Sequence, residues 1–268
     1  MSLKEIELEK FRTQFIAMFL NDDPLYIPES LSCDPPKLSP LQLNTILDDQ
    51  GHTSLHWAAA LARIPIVRLL IQGGANTKAK NQLSETPLHR AVLSSQNYQN
   101  KAFKQLLNLL SDDIMELDDN GRSVLHFIVM NSASSSSSLN LSSVSSSNNS
   151  ANLLLNEPNC QDYYLSCLLE FLSAIYKEMN SELNQDNILI EENISKSNNN
   201  LFNLLIKKYP TLNDYLNIRD KDGDTAINIA AKLGCTSLVS KLIEKGADPF
   251  IENYYGISVN GSAPFSIN

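Results

Sequence analysis

The residues of this chain whose types could do chemistry are four histidines, four cysteines and one acidic run. His56, His89 and His126 recur at one position of a repeated sequence, and His52 stands in the turn ahead of the first. Three imidazoles would ligate a metal if they converged. Their regular recurrence argues against that, because stacked helical units place equivalent residues about one helix diameter apart, roughly 10 Å. The expected role is a hydrogen bond to local backbone that ties successive turns together. His52 is expected to be solvated or to act as a contact residue. Asp220-Lys221-Asp222-Gly223-Asp224 resembles the start of a calcium loop, but such a loop needs glycine sixth and glutamate twelfth, and here glycine is fourth. Cys33, Cys160, Cys167 and Cys235 form no C-x-x-C pair, and no histidine cluster completes a zinc site. They read as reduced thiols of an intracellular protein. No G-x-S-x-G, Walker loop or G-x-G-x-x-G occurs, and no spacing singles out a Ser/His/Asp triad. The chain is expected not to be an enzyme, and to need no cofactor, no metal and no small-molecule substrate.

A repeating frame positions these histidines. Gly51-His52-Thr53-Ser54-Leu55-His56-Trp57-Ala58-Ala59 returns 33 residues later as Ser84-Glu85-Thr86-Pro87-Leu88-His89-Arg90-Ala91-Val92. Gly223-Asp224-Thr225-Ala226-Ile227-Asn228 stands at the same distance from Gly256-Ile257-Ser258-Val259-Asn260. A 33-residue period with a T-P-L-H-x-A core is the ankyrin signature. Each unit is a turn plus two antiparallel helices, and one unit cannot bury its own apolar face. Gly51 suits a turn that needs positive φ, and Thr53 can cap the first helix. Leu55, Ala58 and Ala59 share a face of that helix. Ile66, Val67, Leu69, Leu70 and Ile71 supply the second helix, which Gly74 ends. In the fourth unit Leu238, Val239, Leu242 and Ile243 play that part, with Lys241 interrupting the face. Gly121-Arg122-Ser123-Val124-Leu125-His126 opens a third unit 37 residues after Ser84. Extra residues are therefore expected near 94–101, in the helix connection. Gly223 follows 102 residues after Gly121, which requires a large insertion. The expected fold is all-α: an ankyrin-repeat solenoid with four recognisable repeats plus a partial fifth, an N-terminal capping helix and long insertions in or after the third repeat.

Residues 1–47 read as the capping helix and lead-in, 48–258 as the repeat domain, and 259–268 as a tail. Along 3–20, Leu8, Phe11, Phe15, Met18 and Phe19 share a helical face. A cap over the open end of the stack is the expected role, and a groove-binding helix is the competing one. Segments 131–161 and 180–200 are expected to be disordered insertions; the first is dominated by serine and asparagine and cannot bury enough apolar area to offset its ordering entropy. Between them, 162–177 reads as a strong helix, and 201–209 as a short one ended by Pro210. Trp57 either anchors a partner on the concave face or packs against the lead-in. The formal charge of −9 and pI near 4.9 disfavour nonspecific phosphate binding. No run of apolar residues is long enough for a transmembrane helix, and the N-terminus does not read as a secretory signal.

The departures from a plain array carry a resemblance. They are the helix containing Glu7-Leu8-Glu9-Lys10-Phe11, the stretch from Leu43-Asn44-Thr45-Ile46-Leu47-Asp48-Asp49-Gln50 into the first repeat, and Asn97-Tyr98 with Phe103 and Leu106-Leu107. After them come a polar insert, Tyr163-Tyr164-Leu165, and the run from Asp222-Gly223-Asp224-Thr225 to Gly246-Ala247-Asp248-Pro249-Phe250. In this order they resemble the central ankyrin region of the fungal G1/S transcription-factor subunits that form the SBF and MBF complexes, over roughly residues 5–258. The resemblance implies a structural and protein-interaction module in a nuclear regulator, one able to shuttle with the cytoplasm. Such subunits act on cell-cycle-box promoters as heterodimers of a DNA-binding and a shared regulatory subunit. The implied partners are other subunits or regulators of that complex, with DNA reached only through domains absent from this chain and no membrane involved. The turn tips and first helices are the expected contact surface: Gln50, His52, Trp57, Gln82, Asn120 and Arg122. The alternative is a cytoplasmic ankyrin adaptor unrelated to transcription.

Overall fold

Thr53, Thr86, Ser123 and Thr225 each start a helix, because an extended hydroxyl residue at the N-cap can satisfy amide groups that the first turn leaves without partners. The structure is a computed structural model and describes residues 3–20, 39–131, 159–183 and 207–259. Cys33, most of both expected insertions, residues 201–206 of the expected short helix and most of the expected tail lie outside the described residues. Apart from two isolated bridges, Ile46 with Thr53 and Arg219 with Thr225, the regular structure among the described residues is helical. Two compact units divide at Asp119 and Asn120.

In the first unit, α1 (Leu3–Leu20) precedes α2 (Pro40–Leu43). The first repeat pairs α3 (Ser54–Ala60) with α4 (Ile64–Gln72). The second pairs α5 (Pro87–Val92) with α7 (Phe103–Leu109), followed by a single 3-10 turn, Ser111–Asp113. Ala58, Ala59 and Ala91 are fully buried, and their small side chains let α3 and α5 pack closely. The residues added to the second repeat form a further helix, α6 (Ser95–Gln99), capped by the Ser94 hydroxyl, which accepts from the Gln96 N–H at 3.2 Å. Helix α1 packs on α3. Its Phe11, Phe15, Met18 and Phe19 are buried, and Arg12 Nε donates to the Ile46 carbonyl at 2.9 Å.

The second unit begins its repeat with α8 (Val124–Met130), and α9 (Asn159–Leu183) serves as the partner helix. It extends past both ends of the expected 162–177 segment and buries Tyr164, Leu165, Leu168, Leu169, Leu172 and Tyr176. The next pair is α11 (Ala226–Lys232) and α12 (Thr236–Glu244). Lys241 breaks the apolar face of α12 because its ammonium pairs with Asp162 of α9 at 3.0 Å. The short helices α2 and α6 stand where only a lead-in and a connection are expected, and a third unexpected helix, α10 (Leu212–Leu216), lies just past Pro210. Its signal is a capping box, in which Thr211 accepts from the Asp214 N–H at 3.2 Å and the Thr211 N–H donates to Asp214 at 2.9 Å. Tyr176 anchors the approach by donating to the Tyr209 carbonyl at 2.8 Å.

Gly223 shows why the turn glycines matter. Its φ is +79°, and a Cβ there would stand 2.8 Å from the backbone nitrogen of Tyr254. Gly234 has φ +71° but open space where a Cβ would go. Gly223→Ala is therefore expected to destabilise by about 2–4 kcal/mol, and Gly234→Ala by only about 1 kcal/mol. Urea unfolding followed by far-UV circular dichroism checks this; equal effects would refute it.

Candidate partner-binding site

Four of the turn tips are each built around one side chain lying three residues before the turn glycine or serine. Asp48 Oδ1 accepts the N–H groups of Gln50 and His52, both at 3.0 Å. Asn81 does the same for Leu83 and Glu85 at 2.9 Å. Asp220 holds Asp222 and Asp224 at 2.9 Å, and Asn253 holds Tyr255 and Ile257 at 3.0 Å. Such local side-chain bonds fix a turn without help from a sheet. Successive tips are then joined by single backbone bonds, Gln82 N–H to Gln50 C=O at 2.9 Å and Asp119 N–H to Leu83 C=O at 3.1 Å. In the second unit Lys221 N–H donates to Asn120 C=O at 2.8 Å, and Tyr254 N–H to Asp222 C=O at 3.0 Å.

The repeat histidines lock tip to helix. The Thr53 N–H donates to His56 Nδ1 at 3.1 Å, while Nε2 lies 3.1 Å from the Glu85 carbonyl of the next tip. Only the neutral imidazole with its proton on Nε2 satisfies both. His126 repeats the arrangement, with Ser123 N–H at 3.2 Å and the Asp224 carbonyl at 3.3 Å. His89 takes the Thr86 N–H at 3.3 Å. Desolvation, outweighing the Glu85 hydrogen bond, pushes His56 down to about 4. The ring is therefore uncharged at neutral pH.

His52 departs from expectation. It is not solvated but buried, with Nδ1 at 2.8 Å from Asp48 Oδ2 and Nε2 accepting from Asn81 Nδ2 at 3.0 Å. A polar chain runs on from there, because Asn81 Nδ2 also donates to Glu85 Oε2 at 2.8 Å, and Arg90 approaches that oxygen at 3.4 Å. At its other end Trp57 Nε1 donates to Asp48 Oδ2 at 2.9 Å. Asp48 thus collects four donors. Burial would raise its carboxyl, but the His52 amide, the His52 ring and the Trp57 indole together hold it below the usual carboxylate range.

Above this chain lies an open cleft of about 470 Å³, lined by Asp48, Asp49, Gln50, Trp57, Leu61 and Arg90 among others. Trp57 packs against the N-terminal helix and also faces the cleft. Phe19 of α1 stacks on it at 6.1 Å between centroids, yet the indole remains half-buried and lines the cleft. Of the expected contact residues, Gln50, His52 and Trp57 therefore converge, with only the two exposed for part of their surface able to offer it. Gln82 is exposed on the adjoining tip. Asn120 is exposed and Arg122 half-buried in the second unit. The sequence reading missed Asp48, Asn81 and Arg90. For the first two a signal existed, since Asp48 and Asn81, like Asp220 and Asn253, stand 33 residues apart. Among the described residues no cluster of three or more His, Cys, Asp or Glu side chains could hold a metal ion, and no helix is long and apolar enough to cross a membrane.

Tips locked by an Asx turn, a capping histidine and paired short helices define an ankyrin-repeat protein. The ankyrin-repeat family model, three copies long, matches residues 31–109, and the single-repeat model matches 222–254. The chain is 31% identical to "Transcription factor SWI6" of Pyricularia oryzae over 95% of its own length and 26% of that protein. It is 31% identical to "Start control protein cdc10" of Schizosaccharomyces pombe over 82% of its length and 23% of that protein. Among solved structures it resembles the Saccharomyces cerevisiae Swi6 ankyrin-repeat fragment, with TM-score 0.60 and 26% identity, covering 97% of this chain and 86% of that one. The chain belongs to the family of these SWI6 and cdc10 transcription factors and corresponds to their ankyrin-repeat region. It spans about a quarter of the length of the curated relatives it matches.

Proposed function

We propose that the chain is a non-catalytic protein-interaction and structural module of a G1/S-specific transcription regulator, acting in the nucleus within a heterodimeric promoter-binding complex. The observation that carries this reading is the reach of the likeness. It runs across 95% of the chain, through the irregular third repeat as well as the regular ones, to a protein named as a transcription factor. Catalysis has no support in the site, where His52 and His56 both spend their ring nitrogens on structural bonds. Partners are other subunits or regulators of the complex, engaged through the tips and first helices at Gln50, Trp57, Gln82, Asn120 and Arg122, while buried His52 holds the first tip from within. DNA is reached through other domains, in keeping with the net charge of −9.

Affinity capture from fungal nuclear extract, using the intact chain as bait, tests this. Recovery of cell-cycle transcription components is expected; a capture that returns none would sink the proposal. Trp57→Ala, with unfolding measured in parallel, is expected to weaken capture roughly tenfold or more, the effect of removing a central aromatic anchor.

A further inference from the structure

We propose that the Trp57 cleft receives an arginine side chain from a basic segment of the partner, an inference that rests on the interaction-module reading above. The charge of the lining is the first argument. Arg90 is the one cation among its residues, and its guanidinium lies 3.4 Å from Glu85 Oε2, so its charge is matched inside the wall. Asp48 remains an anion even though four donors fill its acceptor sites. Asp49 lines the same cleft, is exposed, and makes no hydrogen bond or ion pair with the described residues. His56 stays neutral because burial holds it down to about 4. Two carboxylates therefore face one already paired cation, and the cleft is short of positive charge.

The second argument is the aromatic wall. Phe19 stacks on the indole of Trp57, and the indole N–H is held by Asp48 at 2.9 Å. The ring is thus fixed before any ligand arrives, and Ala60 and Leu61 continue its apolar surface. A planar guanidinium stacks on such a ring while its edge donates to a carboxylate, whereas an ammonium does only the second well. The overall charge of −9 adds a long-range attraction for basic segments.

Trp57 is the single tryptophan of the chain, so its emission reports the cleft directly. The intact chain would be titrated with capped tetra-arginine, tetra-lysine and tetra-glutamate peptides at low and high salt. Tetra-arginine is expected to change the emission saturably, tetra-glutamate not at all, and the effect should fade in high salt. Asp49→Asn removes an exposed carboxylate that makes no bond in the fold, so it should leave unfolding unchanged while weakening the arginine peptide roughly threefold or more. No saturable response to tetra-arginine, equal binding by tetra-lysine, or an Asp49→Asn curve that superimposes on the parent would each overturn the proposal. If nuclear partners are captured but tetra-arginine leaves Trp57 unmoved, this inference fails and the module reading stands. If tetra-arginine binds but no transcription component is captured, the module reading is the one that fails.

Discussion

Replacing Asn97 by alanine is expected to remove about 2–4 kcal/mol from the stability of the first unit. Asn97 is fully buried on α6. Its Nδ2 donates to the carbonyl of Ala59 at 2.8 Å and to that of Ala91 at 2.9 Å, near the ends of α3 and α5. Both carbonyls lie in the last turn of a helix, where intrahelical donors run out; that of Ala59 otherwise accepts only backbone N–H groups just past the helix, such as Ala62 at 3.4 Å. One amide thus closes two neighbouring first helices at once, and truncation strips each carbonyl of its short side-chain donor inside the core. The orientation is forced, because the opposite one would aim Oδ1 at two carbonyl oxygens. Asn97→Asp should therefore be worse than Asn97→Ala at neutral pH despite its equal volume, since a carboxylate has no proton to give. Acidification should recover part of the loss, because the protonated carboxyl can donate one bond. Urea unfolding read through Trp57, which lies in the same unit, checks both. An Asn97→Asp variant as stable as Asn97→Ala, with no recovery in acid, would contradict the latch.

The second large effect is a pair of opposed pH dependences within that unit. His56 is pushed down to about 4, chiefly by desolvation, from an ordinary value of 6.5. Between those values the unfolded chain binds a proton that the folded one refuses, so stability falls as pH falls through that window, by about 3 kcal/mol in total. Asp113 runs the other way. It is fully buried beneath the start of α5, where the Leu88 N–H donates to its Oδ2 at 3.1 Å and Oδ1 has no partner. Desolvation, against the Thr86 and Leu88 hydrogen bonds, pushes it up to about 7 from 3.8. There the folded state holds the extra proton, so stability is present at low pH and lost as pH rises from 3.8 to 7, by about 4 kcal/mol. Over pH 4 to 6.5 the two slopes nearly cancel. Asp113→Asn, which no longer titrates, is expected to expose a rise of stability with pH of up to about 1.4 kcal/mol per unit. His56→Gln is expected to expose the opposite slope. Unfolding free energies of the parent and both variants across this range decide it, and three parallel curves would refute both assignments.

How much of this was legible in the sequence depends on the distance over which each feature is determined. The capping threonines, the turn glycines and the tie made by the repeat histidines follow from residue type and a fixed offset, so the period alone exposes them. The Asx residues at 48, 81, 220 and 253 were equally periodic and lay open to the same reasoning. Helix α10 is local in the same way, since its capping box, Thr211 with Asp214, directly follows the helix-stopping Pro210. The burial of His52 was not legible, because it depends on Asn81 arriving from the next repeat to complete the ring's second hydrogen bond. Lys241 looked like a fault in an apolar face until α9 supplied Asp162.

The sequence by itself determined the repeat, its helix starts and turns, the places where it is interrupted and the family whose interruptions it shares. Those are short-range facts, fixed by backbone geometry and by spacing along the chain. Only the tertiary structure decided which side chains become a surface. Trp57 is half covered because Phe19 of α1 folds back onto it, Asp48 is occupied because His52 and Trp57 both turn toward it, and Asp49 is left over. Exposure, charge pairing and desolvation are properties of neighbours brought together from distant positions, and no period along one chain encodes them.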